Sequence, residues 1–229
     1  MEEQGLADKV RRHFPAKQQD LALSEEMWKS LKQVLPGSKD ISKIVEHAVH
    51  SQLYGYLTTN NLLYIKQSGF RRKRSTASAL LKVRDEILNN MDQGEVMGAV
   101  FLDLKKAFDT VNHRILLLKL QSLGVDVLSI PWFKSYLENR GCQTSIGNSI
   151  SSKRTMNIGV LGPLLFLVYV NDFADVLKNC QASLFADDTA IYCSSQTALD
   201  LEAKLNEDLN YVKDWLNKHR LTLNIKSQS

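Results

Sequence analysis

Two settings of acidic residues stand out in this 229-residue chain. In Phe185-Ala186-Asp187-Asp188, adjacent carboxylates fall between two apolar, strand-like runs, Ala182 to Phe185 and Ala190 to Tyr192. A hairpin folded about Asp187-Asp188 would carry both acids to a sheet edge, where they can share a divalent cation. Asp-Asp is equally a good turn dipeptide, because Asp hydrogen-bonds its own backbone. In Phe101-Leu102-Asp103-Leu104-Lys105-Lys106-Ala107-Phe108-Asp109, an acid stands between a short apolar run and a helical pattern. There Asp103 or Asp109 could serve as an N-cap. Taken together, Asp103 and Asp187 have a sharper use. Carboxylates on adjacent strands can hold two metal ions roughly 3.5–4 Å apart, a device for in-line phosphoryl displacement. Mg²⁺ suits such a site, since it prefers oxygen ligands and borrows much of its shell from phosphates and water; Mn²⁺ is the alternative ion.

The elements that must position these acids follow from hydrophobic periodicity. Ile44, Val45, Ala48, Val49, Leu53 and Leu57 recur at three- and four-residue steps, so a helix is expected from Ile41, with Ser42 as its N-cap. A second helix is expected from Ser75 or Thr76 to about Gly94, burying Ala79, Leu80, Val83, Ile87 and Leu88. Val96 to Leu102 reads as a buried strand. After Asp103 the residues Ala107, Val111, Ile115, Leu118 and Leu120 supply a helix face that Gly124 ends. Pro131 opens a further helix, where its missing N–H does no harm. Cys142 to Ile158, with the turn Gly147-Asn148, reads as a hairpin. Leu161 to Leu177 reads as an apolar helix, Ala198 to His219 as a long amphipathic helix, and Leu221 to Ile225 as a strand. Mixed helices and strands with two hairpins give an α+β fold with an antiparallel sheet.

Composition narrows the class. With 44% hydrophobic and 24% charged residues the chain can bury roughly 70% of its unfolded surface, which excludes wholesale disorder. Cys142, Cys180 and Cys193 show no CxxC spacing, so neither a disulfide framework nor a zinc site is expected, and an intracellular, nuclear or cytoplasmic setting is. The longest apolar run, Val160 to Val170, is shorter than the roughly 20 residues of a spanning helix, and no targeting signal or membrane partner is read. A net charge of +4 permits a polyanionic partner. Lys66, Arg71, Arg72, Lys73, Arg74, Lys82 and Arg84 form a basic stretch without an acid, which suits either a solvated face or a phosphate path. Trp28, Trp132 and Trp215 read as packing, and the His residues show no ligand spacing.

FLDLKKAFDTVNHRILLLKL, WFKSYLENR, VLGPLLFLVYVNDF, LFADDTAIY and LNEDLNYVKDWLNKHRLTLN, in this order, resemble the reverse transcriptase domain of non-LTR (LINE-type) retrotransposons. The resemblance runs from about Ile41 to the C-terminus. It implies a polymerase palm, an antiparallel sheet packed on helices, with a truncated helical fingers region and no thumb. On this reading residues 41–229 are the fingers–palm domain and residues 1–40 a degenerate fingers segment. The implied activity is RNA-directed DNA polymerisation, with an RNA template, a DNA primer and dNTPs as partners. Asp103 and Asp187 match the metal-binding acids, Asp188 their neighbour, and the Leu104 carbonyl an additional ligand. Phe108 matches the aromatic that screens the 2′ position of the incoming nucleotide; its other reading is core packing. Gln67 matches a nucleotide-bordering position. Phe70, Arg71, Arg72, Lys73 and Arg74 fall in or after a QxGFR-like segment beside the template. Lys226 matches the proposed proton donor to pyrophosphate.

The chain departs from the family pattern in three places. Gly159-Val160-Leu161-Gly162-Pro163 lacks the P-Q-G-S core that touches nucleotide and template. Leu35 to Lys43 keeps only the tail of an R-P-I-S segment, and Leu223-Asn224-Ile225-Lys226 is one residue shorter than L-N-x-x-K. Two readings therefore stand: a two-metal polymerase domain, or a catalytically inactive remnant that at most binds nucleic acid. A metal-dependent nuclease or phosphatase would use the same acids, but lacks a further Asp, Glu or His cluster around them.

Overall fold

The structure, a computed structural model, describes residues 39–105, 107–138, 141–142, 145–146, 149–150, 154–155 and 159–224. In chain order these form α1 (Lys39–Thr59), α2 (Thr76–Asp92), β1 (Val96–Leu102), α3 (His113–Ser122), α4 (Ile130–Glu138) and the short strands β2 (Gly141–Cys142), β3 (Ser145–Ile146), β4 (Ser149–Ile150) and β5 (Arg154–Thr155). They continue with α5 (Gly162–Tyr169), a 3₁₀ turn (Phe173–Val176), β6 (Gln181–Phe185), β7 (Asp188–Ser195) and α6 (Ala198–Lys218). The fold is α+β with antiparallel pairing, as the periodicity implied. Among the described residues no helix is long and apolar enough to cross a membrane.

The chain divides into two compact units, one ending at Leu62 and resuming over His113–Val168, the other formed by Leu63–Asn112 with the residues after Val168. The first is mainly helical. Val49, Leu53 and Leu57 of α1, Leu116 and Leu120 of α3, Phe133 of α4 and Leu164 to Leu167 of α5 are buried in it. Glu46, itself buried, accepts from the Val160 N–H at 2.9 Å and the Tyr136 hydroxyl at 3.3 Å, so its carboxylate is satisfied inside the unit. The hairpin expected over Cys142–Ile158 is present as two nested antiparallel pairs, β3 with β4 inside β2 with β5. Its turn residues Gly147 and Asn148 lie outside the described residues.

The second unit is built on a three-stranded antiparallel sheet in the order β1-β7-β6. Alternation sorts its faces. Ala182, Leu184, Thr189, Ile191, Cys193 and Ser195 are buried on the face that α6 covers with Leu201, Val212, Trp215 and Leu216. Gly98 marks the close approach: a Cβ there would sit 2.9 Å from Leu205 Cδ1 on α6. The helix starts where the Thr197 hydroxyl accepts from the Asp200 N–H at 3.2 Å. Farther along, Asp208 is fully buried and receives the backbone N–H groups of Lys178, Asn179 and Cys180 at 2.7–3.2 Å, tying α6 to the entry of β6.

Several expectations are corrected. The first helix starts at Lys39, so Ser42 lies within it rather than at its N-cap position. Helix α2 begins at Thr76, with Ser75 and Ser78 in a reciprocal capping box, but none of its residues is buried. Leu80 is 64% exposed and Leu88 48%. The apolar faces of α2 and the sheet stand across a cavity of about 920 Å³, lined by Leu80, Val83, Ile87, Phe101, Phe185 and Ala190. Strand β1 is likewise not buried; Phe101, 80% exposed, lines the same open cavity. The helix expected after Asp103 begins only at His113. Before it, Lys105 donates to the Thr222 carbonyl and the Thr110 hydroxyl to that of Ala107, so Leu104 and Ala107 are buried by strand-like and turn contacts. The apolar run from Leu161 is helical only to Tyr169, then turns into the 3₁₀ segment. Of the strand expected over Leu221 to Ile225, the described residues show an isolated bridge, Leu104 with Leu223, and Ile225 lies outside them. Trp215 packs against Phe173 and His219 as expected; Trp28 lies outside the described residues.

Candidate active site

The site is assembled at one end of the sheet. Strands β6 and β7 close on the pair Phe185–Asp188, which leaves Ala186 and Asp187 as a two-residue hairpin loop. Two-residue loops of the primed types match the right-handed twist of the flanking strands, and they require a left-handed residue. Here that residue is Ala186, with φ 59°, although it is not glycine. Asp188 is therefore not a turn residue but the first residue of β7, and only Asp187 occupies the tip.

The register of β1 against β7 brings in the third acid. Leu102 pairs with Thr189, so one step further along Asp103 stands across from Asp188. The Asp103 main chain is fixed by the Asn224 N–H, which donates to its carbonyl at 2.8 Å, and the Asn224 side-chain amide donates to Asp103 Oδ2 at 2.7 Å. The partner bond runs from the Lys105 N–H to the Thr222 carbonyl, so the Leu104 carbonyl takes no part in that pairing. Burial, and then the negative charges of Asp187 and Asp103, hold the Asp188 carboxyl above the ordinary range. Like charges so gathered are relieved by a cation. The donor set is all oxygen and acidic, which fits Mg²⁺ or Mn²⁺ and not a softer ion. Among the described residues no three acid, His or Cys side chains form a ready-made metal cage. That is compatible with an ion completing its shell from phosphates and water.

The segment before α2 runs along the outer side of β6. Gln67 bridges Leu184 in parallel, with the Ser68 N–H donating to the Leu184 carbonyl at 2.8 Å and the Leu184 N–H to the Lys66 carbonyl at 3.0 Å. Gln67, expected beside the nucleotide, is buried, and its carboxamide bonds the backbone of Gly69 and Ala186. Phe70 and Phe108 meet edge to face with ring centres 5.9 Å apart. Phe70 is 51% exposed and Phe108 half-buried, so the pair forms an aromatic step at the surface of this unit rather than a piece of its core.

The basic stretch is only partly available to phosphates. Lys66 is paired with Glu86 at 2.7 Å and also donates to the Tyr192 hydroxyl at 3.0 Å and to Gln181, which ties α2 to β6 and β7. Arg84 pairs with its neighbour Asp85. Arg71 donates to the carbonyls of Tyr64 and Gln67, and Arg74 to those of Gln67 and Ile65, so both guanidinium groups brace the loop they stand on. Arg72 and Lys73 are exposed. Lys226 lies outside the described residues. Sequence reading missed Asn224 as a partner of Asp103, and nothing in the one-dimensional pattern joins positions 121 residues apart.

A family profile described as Reverse transcriptase (RNA-dependent DNA polymerase) matches residues 34–227. The chain is 32% identical over 200 residues to "Probable RNA-directed DNA polymerase from transposon BS" of Drosophila melanogaster, covering 80% of this chain and 22% of that protein. From the same organism, "Probable RNA-directed DNA polymerase from transposon X-element" is 28% identical over 196 residues, covering 80% of this chain and 21% of the relative. "RNA-directed DNA polymerase from mobile element jockey" is 29% identical over 200 residues, with shares of 80% and 21%. The chain thus spans about a fifth of the length of these relatives.

Proposed function

The chain belongs to the reverse transcriptase (RNA-dependent DNA polymerase) family, in its LINE-type branch, and from that premise we propose that it extends a DNA primer on an RNA template. In the reaction the primer 3′-oxygen attacks the α-phosphorus of a deoxynucleotide. One phosphodiester bond forms, the bond to pyrophosphate breaks, and the hydroxyl proton passes to solvent. The observation that carries this reading is the placement of Asp103 across from Asp188, with Asp187 at the adjoining hairpin tip.

Asp103 and Asp187 would hold Mg²⁺ or Mn²⁺, beside Asp188 and the Leu104 carbonyl, and the positive charge so bound would acidify the primer hydroxyl and offset charge on the leaving pyrophosphate. Asn224 keeps one oxygen of Asp103 turned toward itself, so the carboxylate presents the other. Phe108, braced by Phe70, is the aromatic wall against which the sugar of the incoming nucleotide would be checked. Arg72 and Lys73 supply exposed cations for a phosphate backbone. Lys226 is the candidate donor to pyrophosphate.

A second reading, a remnant that folds and binds nucleic acid without polymerising it, draws on one observation. The chain passes from Gly159 through a single turn, the Gly162 N–H bonding the Gly159 carbonyl at 3.0 Å, directly into α5, with no P-Q-G-S segment between. Primer extension on an RNA template with Mg²⁺ and dNTPs, beside Asp187→Asn, separates the two. Extension that falls at least a thousandfold in the variant is expected. A folded wild type that binds primer–template yet extends nothing leaves the remnant reading.

A further inference from the structure

We infer that Gln67, together with Gly69, is a positioning residue that holds the hairpin loop in the conformation that aims Asp187. Gln67 is 2% exposed, and its Oε1 accepts from the Gly69 N–H at 2.8 Å and from the Ala186 N–H at 3.1 Å. Its Nε2 donates to the Ala186 carbonyl at 3.4 Å. One side chain thus engages both polar groups of the residue immediately before Asp187. That residue carries the left-handed φ of 59°, a conformation uncommon for residues that bear a Cβ.

Gly69 lets the buttress come close enough. A Cβ at this position would lie 2.1 Å from Ala186 N, 2.8 Å from Ala186 Cα and 2.9 Å from Phe185 C, all backbone atoms that cannot swing aside. The approach is extended by the parallel bridge of Gln67 with Leu184, so the loop and the last part of β6 are gripped along one line. A strained loop residue, a buried carboxamide on its N–H and C=O, and a glycine that admits the contact are three parts of one device. Its output is the direction of Asp187, and Gln67 acts on the nucleotide through that acid rather than by touching it.

The inference rests on the reading of Asp103 and Asp187 as a metal site, and the test separates the two. Wild type and Gln67→Leu are compared by circular dichroism, by backbone hydrogen exchange, by Mn²⁺ binding in electron paramagnetic resonance, and by steady-state extension. In the folded variant the Ala186 amide should exchange at least tenfold faster and Mn²⁺ should bind at least tenfold more weakly. Amides within Ala198–Lys218 should keep wild-type rates. In extension, kcat should fall at least tenfold while the dNTP KM moves less than threefold. Unchanged exchange at Ala186, or unchanged Mn²⁺ affinity, overturns the inference. So does a raised dNTP KM at constant kcat, which would make Gln67 a direct nucleotide contact. If wild type neither binds Mn²⁺ nor extends a primer, the polymerase reading is what fails, and exchange at Ala186 decides the role of Gln67. Should Gln67→Leu not fold, Gln67→Asn, one methylene shorter, carries the same readouts.

Discussion

Each acid of the site has a different neighbour, and the neighbours decide what it does. Asp103 is tethered by Asn224, Asp187 rides on a left-handed Ala186, and Asp188 faces the charges of both others. Burial and those charges raise the Asp188 carboxyl, so the folded state holds its proton more tightly than the unfolded chain does. The resulting penalty is absent below the ordinary Asp value of 3.8, grows as pH rises through the elevated value, and is complete above it. Asp188→Asn should therefore melt higher than wild type in metal-free buffer at pH 7, with the difference gone at pH 3. Added Mg²⁺ should stabilise wild type more than the variant. Thermal denaturation at the two pH values checks both, and equal melting temperatures at pH 7 would remove the electrostatic account of this cluster.

At the scale of elements, the β6–β7 hairpin is fixed from both sides in sequence. Upstream, the Lys66–Gly69 segment grips its tip; downstream, Asp208 on α6 holds its base. Burial pushes the Asp208 carboxyl up, but the N–H groups of Asn179, Lys178 and Cys180 together outweigh it and hold it below the ordinary range. Its contribution to stability is therefore present above the usual Asp value and lost as pH falls through the lowered one. Asp208→Ala leaves three N–H groups without that acceptor and should cost about 3 kcal/mol. Urea unfolding measures this; a loss under 1 kcal/mol would mean that water replaces the carboxylate. Helix α2 contrasts with α6. Its periodicity declares an apolar face, but periodicity says which residues share a side, not whether another element covers that side. What holds α2 instead is polar: Lys66, Glu86, Tyr192 and Gln181 form one network between it and the sheet.

For the whole molecule, on the proposed reading, a net charge of +4 with exposed Arg72 and Lys73 predicts that affinity for a primer–template comes largely from counterion release. With three or four phosphate contacts, binding should weaken about 40- to 150-fold between 50 and 200 mM salt. Fluorescence anisotropy with a labelled duplex measures the slope, and salt-insensitive binding would argue against a phosphate path. The amino-acid sequence by itself determined the family and the α+β class and singled out Asp103, Asp187 and Asp188 as candidates, because motif order and two local periods are properties of the chain alone. It also placed a hairpin about Asp187-Asp188, one residue past the observed loop Ala186-Asp187, since turn chemistry acts over four residues. Only the tertiary structure decided that Asp187 alone occupies the tip, that Gln67 and Gly69 brace the loop, and that Asn224 holds Asp103. It also decided that Lys66 serves Glu86 and that α2 and Phe101 stay uncovered. These are contacts between residues 20 to 121 positions apart, set by strand register and by which face meets a partner. No local pattern encodes that information.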